Sequence, residues 1–137
     1  MVERLLIATV LFAVSAALYI ALTRRQIKRL SSLKAGDDPI LDALKPGVPA
    51  IVYFTTPHCA PCLTRQQPAL SAVADILGRD KIQIVKIDAT QDPQSAHRWG
   101  VLAAPTTFVI DTRGVVQAVN HGVADADKLR RQLQATA

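Results

Sequence analysis

The stretch Ala50-Ile51-Val52-Tyr53-Phe54-Thr55-Thr56-Pro57-His58-Cys59-Ala60-Pro61-Cys62 decides how this chain is read. Its first half is apolar and β-favouring, which predicts a buried central strand over Pro49 to Thr55. Its second half holds the only two cysteines of the 137 residues. Beyond them Leu63, Leu70, Val73, Ala74 and Leu77 recur at helical spacing, ending at Gly78. A strand thus feeds a helix with a dithiol at the joint, an arrangement that points to thiol–disulfide exchange. Unpaired backbone N–H groups and the positive dipole end at a helix start favour the thiolate, the form that attacks a disulfide. The dipole is worth up to roughly 2 kcal/mol, or about one and a half pKa units, and so moves a thiol of pKa about 8.5 towards neutrality. Protonated His58 would push the same way. Cys59 is therefore read as the nucleophile. Cys62, three residues on along the same helical turn, is the resolving thiol, and resolution leaves the disulfide Cys59–Cys62.

Two other readings of the cysteine pair are weaker. A Cys-x-x-Cys is half of a zinc knuckle, but structural zinc wants four ligands, and His97 and His121 are not spaced as a ligand pair. No metal is expected. A purely structural disulfide closing so short a loop would add little stability, because the entropy it removes grows with loop length.

Outward from the dithiol, composition separates the chain into parts. Leu5 to Leu22 contains no charged residue, and at about 1.5 Å per residue an eighteen-residue helix reaches roughly 27 Å, enough to cross a bilayer core. A cleaved signal peptide is the alternative, with Val14-Ser15-Ala16 as small residues, but cutting there leaves Leu18, Tyr19, Ile20 and Leu22 on the mature end. An uncleaved transmembrane anchor over 1–23 is the expectation. Arg24, Arg25, Lys28, Arg29 and Lys34 follow the span, against Arg4 and the amino terminus before it, which places the globular part in the cytoplasm. From Asp37 onward ten Lys and Arg face ten Asp and Glu, so the net charge of +5 comes from the juxtamembrane stretch. That location suits topology and anionic headgroups, and no basic face for nucleic acid is visible.

Residues 24–38 are assigned as a basic juxtamembrane linker, in which Ile27, Leu30 and Leu33 allow an interfacial helical extension. Residues 39–137 form one α/β domain, without internal repeats. A helix is expected from Pro39 to Lys45, stopped by Pro46-Gly47. Pro68 should kink the helix after the dithiol. A strand follows over Lys81 to Asp88, then a helix capped by Asp92, opened by Pro93 and closed by Gly100. Thr106 to Ile110 and Val115 to Val119 flank the turn Asp111-Thr112-Arg113-Gly114 as a hairpin, and Asp125 caps a last helix through Gln134.

This pattern resembles the thioredoxin family over roughly residues 40 to 135. The resemblance rests on the strand with Cys59-Ala60-Pro61-Cys62 opening a helix, on Ile87-Asp88 ending the next strand, on Trp99-Gly100-Val101-Leu102-Ala103-Ala104-Pro105-Thr106, and on Gly122. It implies a thioredoxin-like fold, a central mixed sheet flanked by helices, here preceded by one transmembrane helix. It also implies a cis bond before Pro105 facing the dithiol, with Ala104, Pro105, Thr106 and Gly122 binding an extended substrate segment. By itself Ala104-Pro105 would be only a proline at the start of a strand, since cis is a minority state.

The departures from the family are specific. Thioredoxins proper usually show Trp-Cys-Gly-Pro-Cys, where this chain has His58 and Ala60. The buried aspartate that commonly assists proton transfer is Tyr53, and its frequent lysine partner is Ile84. Pro68 lies one position later than the usual helix proline, and no first strand is evident before Pro39. Losing the acid should slow deprotonation of Cys62, because an apolar surround raises a thiol's pKa.

The function expected is a bacterial, membrane-tethered thiol–disulfide oxidoreductase working on protein disulfides, as a reductase supplied with electrons by another dithiol protein. No dissociable cofactor is implied. An exported protein for extracytoplasmic disulfide handling or cytochrome maturation, and a non-catalytic adaptor that docks peptides, are the alternatives.

Overall fold

The computed structural model describes residues 1–34 and 36–136, so Ala35 of the expected linker and Ala137 at the domain's end lie outside the described residues. Six apolar or β-branched residues form β1, Ala50–Thr55, and every one of them is buried. Such a strand must be covered on both faces. It pairs in parallel with β2, Gln83–Asp88, and antiparallel with β3, Thr106–Ile110, which pairs in turn with β4, Val116–His121, so the sheet order is β2-β1-β3-β4. This is the mixed sheet expected from the sequence.

Alternation along β1 divides the core. Val52 and Phe54 face Trp99, Phe108, Ile40 and Leu41 on one side, where α2 (Pro39–Asp42) and α4 (Pro93–Trp99) lie. Ile51 and Tyr53 face Leu70, Val73, Leu129 and Leu133 on the other, supplied by α3 (Gln67–Leu77) and α5 (Ala126–Ala135). The three rings of Phe54, Trp99 and Phe108 meet at centroid separations of 4.9 to 6.1 Å, within the range of favourable aromatic pairs.

Local signals set the element ends. The side chains of Asp92 and Asp125 accept from Ser95 N–H at 3.0 Å and Lys128 N–H at 2.8 Å, as N-caps. Gly100 closes α4 in the left-handed conformation, φ 70°. α2 ends at Asp42, three residues short of Lys45, since the chain tightens into a turn before Pro46. β2 begins at Gln83 rather than Lys81, because Lys81 N–H is drawn back to the Gly78 carbonyl. β4 starts one residue later than expected, Val115 being held by Asp111, and runs on to His121.

Two elements take forms that the sequence expectation left open. Pro68 produces a π-helical turn over Cys62–Gln66, in which Gln67 N–H reaches back to the Cys62 carbonyl. A proline lacks the N–H and clashes with the carbonyl four residues back, and one widened turn relieves both. The stretch after the apolar segment is helical and docked: α1 runs without a break over Val2–Ser31. Leu30 is fully buried beside Ile40 and Leu41, with Ile27 and Leu33 against the same cluster. Gln26 Nε2 donates to the carbonyls of Trp99 at 2.7 Å and Gly100 at 3.1 Å. The amino-terminal part of α1 is long and apolar enough to cross a membrane, and its apolar window is entirely unburied.

Candidate functional site

The dithiol sits where β1 gives way to helix. Thr56-Pro57-His58 makes the turn, Cys59 N–H donates to the Thr56 carbonyl at 3.3 Å, and helical geometry begins at Ala60. Cys59 and Cys62 are joined as a disulfide, with Cα atoms 5.2 Å apart. The two sulfurs are not equivalent: Cys59 keeps 8% of its surface and Cys62 none. Cys62 N–H points at Cys59 Sγ, 3.2 Å away. A backbone N–H aimed at this sulfur in the first helical turn favours negative charge on it.

His58, Ala60 and Pro61 are all exposed and form the rim around Cys59. Below them, Tyr53 is 1% exposed and belongs to the same buried cluster as both cysteines. Its hydroxyl is the one buried side-chain polar atom without a hydrogen-bond partner among the described residues. The strand register sets Lys86, not Ile84, directly across from Tyr53, and both β2 residues share with it the lining of a cleft of about 240 Å³ under α3.

The remaining expected residues converge on this end of the sheet. The peptide bond Ala104-Pro105 is cis. Gly122, at φ 85°, donates its N–H to the Pro105 carbonyl at 2.9 Å, which joins the two loops. Thr106 is buried and its hydroxyl donates to the Ala103 carbonyl at 2.6 Å, so its side chain is already engaged. Thr106 stands opposite Phe54 on one side and His121 on the other. Asp88, ending β2, is held below the usual carboxylate range by the hydroxyl of Thr90 and then by its N–H. Among the described residues no cluster of three His, Cys, Asp or Glu side chains could hold a metal ion.

Two contributors escaped the sequence reading. Gln66, fully buried, donates to the Ala124 carbonyl at 3.0 Å and accepts from Ala124 N–H at 2.9 Å, tying the dithiol helix to the Gly122 loop. Leu63, read from sequence as part of the inward stripe, is 56% exposed, because the widened turn gives the buried face to Cys62 and Gln66; a polar residue one turn before Leu70 was the available signal. Asp38, 1% exposed, accepts from Trp99 Nε1 and Arg98 Nε, each at 3.1 Å, besides capping α2 through Ile40 N–H. The only hint of that was its position before Pro39.

Comparison with known proteins agrees with this geometry. The thioredoxin family model matches residues 40–135. A thioredoxin of Rhodospirillum rubrum is 34% identical over 95 residues, 69% of this chain and 88% of that protein. The thiol:disulfide interchange protein DsbE of Xylella fastidiosa is 30% identical over 106 residues, 64% of this chain and 54% of that protein. Among solved structures, Fasciola hepatica thioredoxin superposes with a TM-score of 0.60 at 26% identity, covering 79% of this chain and 97% of that one. With this fold, a bonded Cys59–Cys62 pair at a helix start and a cis-proline at the same end, the chain belongs to the thioredoxin family of thiol–disulfide oxidoreductases.

Proposed function

We propose that this chain is a membrane-tethered reductase of protein disulfides. The observation that carries the reading is the asymmetry of the dithiol: Cys59 is the accessible sulfur with a backbone N–H aimed at it, and Cys62 is sealed behind it. Only the outer sulfur can meet a bulky disulfide, and the inner one is placed to attack it in turn.

In the reduced protein the Cys59 thiolate attacks one sulfur of a client disulfide. A mixed disulfide forms and the client's other sulfur leaves as a thiolate, which takes up a proton. Cys62, losing its proton, then attacks Cys59. The Cys59–Cys62 bond closes and the second client sulfur is released. Two electrons and two protons have passed to the client, and another dithiol protein restores the pair. Ala104, Pro105, Thr106 and Gly122 supply the backbone against which the client segment lies, and His58, Ala60 and Pro61 set the rim it crosses. The apolar half of α1 is the anchor, and the five basic residues after its span support a cytoplasmic domain.

The test is replacement of the resolving thiol. Cys62→Ser should accumulate mixed disulfides between Cys59 and client proteins, seen as reductant-sensitive bands on non-reducing gels, and Cys59→Ser should trap none. Absence of trapped species from Cys62→Ser would favour an adaptor that docks peptides without chemistry.

A further inference from the structure

We infer that the dithiol end of the domain faces the bilayer surface, so that the clients are membrane-anchored polypeptides whose disulfide lies at that surface. The inference rests on the anchored-reductase reading above and adds which disulfides it can reach.

Three contacts fix the direction of α1 along the domain. Leu30 is buried in the core beside Ile40 and Leu41, at the depth of the sheet. About one turn back, Gln26 binds the carbonyls of Trp99 and Gly100. Two turns further back, the Tyr19 ring meets His121 edge-on, centroids 6.1 Å apart. His121 is the last residue of β4 and stands opposite Thr106, the first residue of β3 after the cis-proline. Thr106 in turn stands opposite Phe54, near the end of β1 that leads into Cys59. Going from Leu30 to Tyr19 therefore means climbing from the core to the end of the sheet that carries the dithiol. The rest of the helix, residues 2–18, projects beyond that end.

Tyr19 to Leu22, the last turn of the apolar segment, lie alongside His121 and the cis-proline loop, so this end of the domain sits at the bilayer boundary. Leu22 and Thr23 line a cleft of about 300 Å³ together with Leu102, Ala103, Thr106 and His121. Leu102, in the loop before the cis-proline, is 93% exposed, a large apolar side chain pointed where an interface can take it up. The dithiol strand lies two strand spacings from His121, roughly 10 Å across. Gln26 donates to the carbonyls of Trp99 and Gly100 while Leu30 is buried in the core, so the helix is seated against the domain rather than hung on a flexible tether. A soluble folded client would have to wedge between the dithiol and the membrane, whereas a segment emerging from the bilayer arrives there directly.

The experiment uses the full chain in phosphatidylcholine–phosphatidylglycerol vesicles with dithiothreitol as electron source. The substrates are one disulfide-bonded peptide in three forms: free, and linked to a dipalmitoyl anchor through rigid polyproline spacers of about 10 Å and about 45 Å, at roughly 3.1 Å per residue. At equal surface density the short-spacer disulfide should be reduced about tenfold faster than the long-spacer one, the gain expected when geometry alone sets effective concentration. Inserting about twelve Gly and Ser residues between Thr23 and Arg24 frees the span while leaving Gln26 and Leu30 seated, and should abolish that preference. Equal rates on both anchored peptides, or a faster long-spacer peptide, overturns the orientation while the reductase reading stands. No reduction of any peptide, the free one included, beyond the rate with dithiothreitol alone overturns both.

Discussion

Tyr53 stands where the resemblance leads one to expect a buried acid, and the structure gives that departure a physical character. A phenol oxygen buried at 1% exposure without a partner is an unmet hydrogen bond in the core, which costs on the order of 1 kcal/mol or more. Tyr53→Phe keeps the ring and removes the oxygen. It should stabilise the domain by about 1 kcal/mol in urea unfolding followed by circular dichroism. An unchanged or lower midpoint would mean that the hydroxyl is satisfied in solution. His121 is a second informative residue: partial desolvation beside the Tyr19 ring pushes its imidazole below the ordinary value. Neither effect follows from residue type alone. Each depends on which atoms surround the side chain.

Among elements, α1 carries the largest difference between expectation and structure. The sequence places an anchor over 1–23 and a basic linker over 24–38 in which Ile27, Leu30 and Leu33 allow a helical extension; the helix continues through Ser31 and delivers Leu30 to the core rather than to an interface. A fragment beginning at residue 37 therefore lacks one fully buried leucine, the Gln26 hydrogen bonds and the cover that Ile27 and Leu33 give to Trp99 and its neighbours. Burying one leucine contributes about 1.5–3 kcal/mol, so a fragment from residue 24 should exceed the fragment from residue 37 by about 3 kcal/mol in urea unfolding. Equal stabilities would show that the end of α1 adds nothing to the domain. The helix after the dithiol lies nearer to expectation: Pro68 announces a distortion, and its form, a π-helical turn immediately before α3, comes from packing.

For the whole molecule, charge and shape set separate constraints. The ten-to-ten balance from Asp37 onward leaves the basic excess directly after the apolar segment, where on the anchored reading proposed above it would act on topology. A reporter fused after Ala137 that is active only outside the cytoplasm should stay silent, and activity of that reporter would place the domain on the other side. Shape then decides what the domain meets there, because α1 leaves the molecule at the end of the sheet that holds the dithiol.

The sequence by itself determined the family and the chemical pair. An apolar strand running into Cys59-Ala60-Pro61-Cys62, an Ala-Pro step before a β-branched strand, and caps at Asp92, Asp125 and Gly100 are local signals, and local backbone preferences survive into the fold. The tertiary structure alone decided which sulfur is sealed, that Gln66 clamps the Gly122 loop, that Asp38 serves Trp99 sixty-one residues away, and that α1 docks with Gln26 against Gly100. These depend on side chains far apart in the chain meeting in space, and periodicity records which face of an element is apolar without recording what covers it.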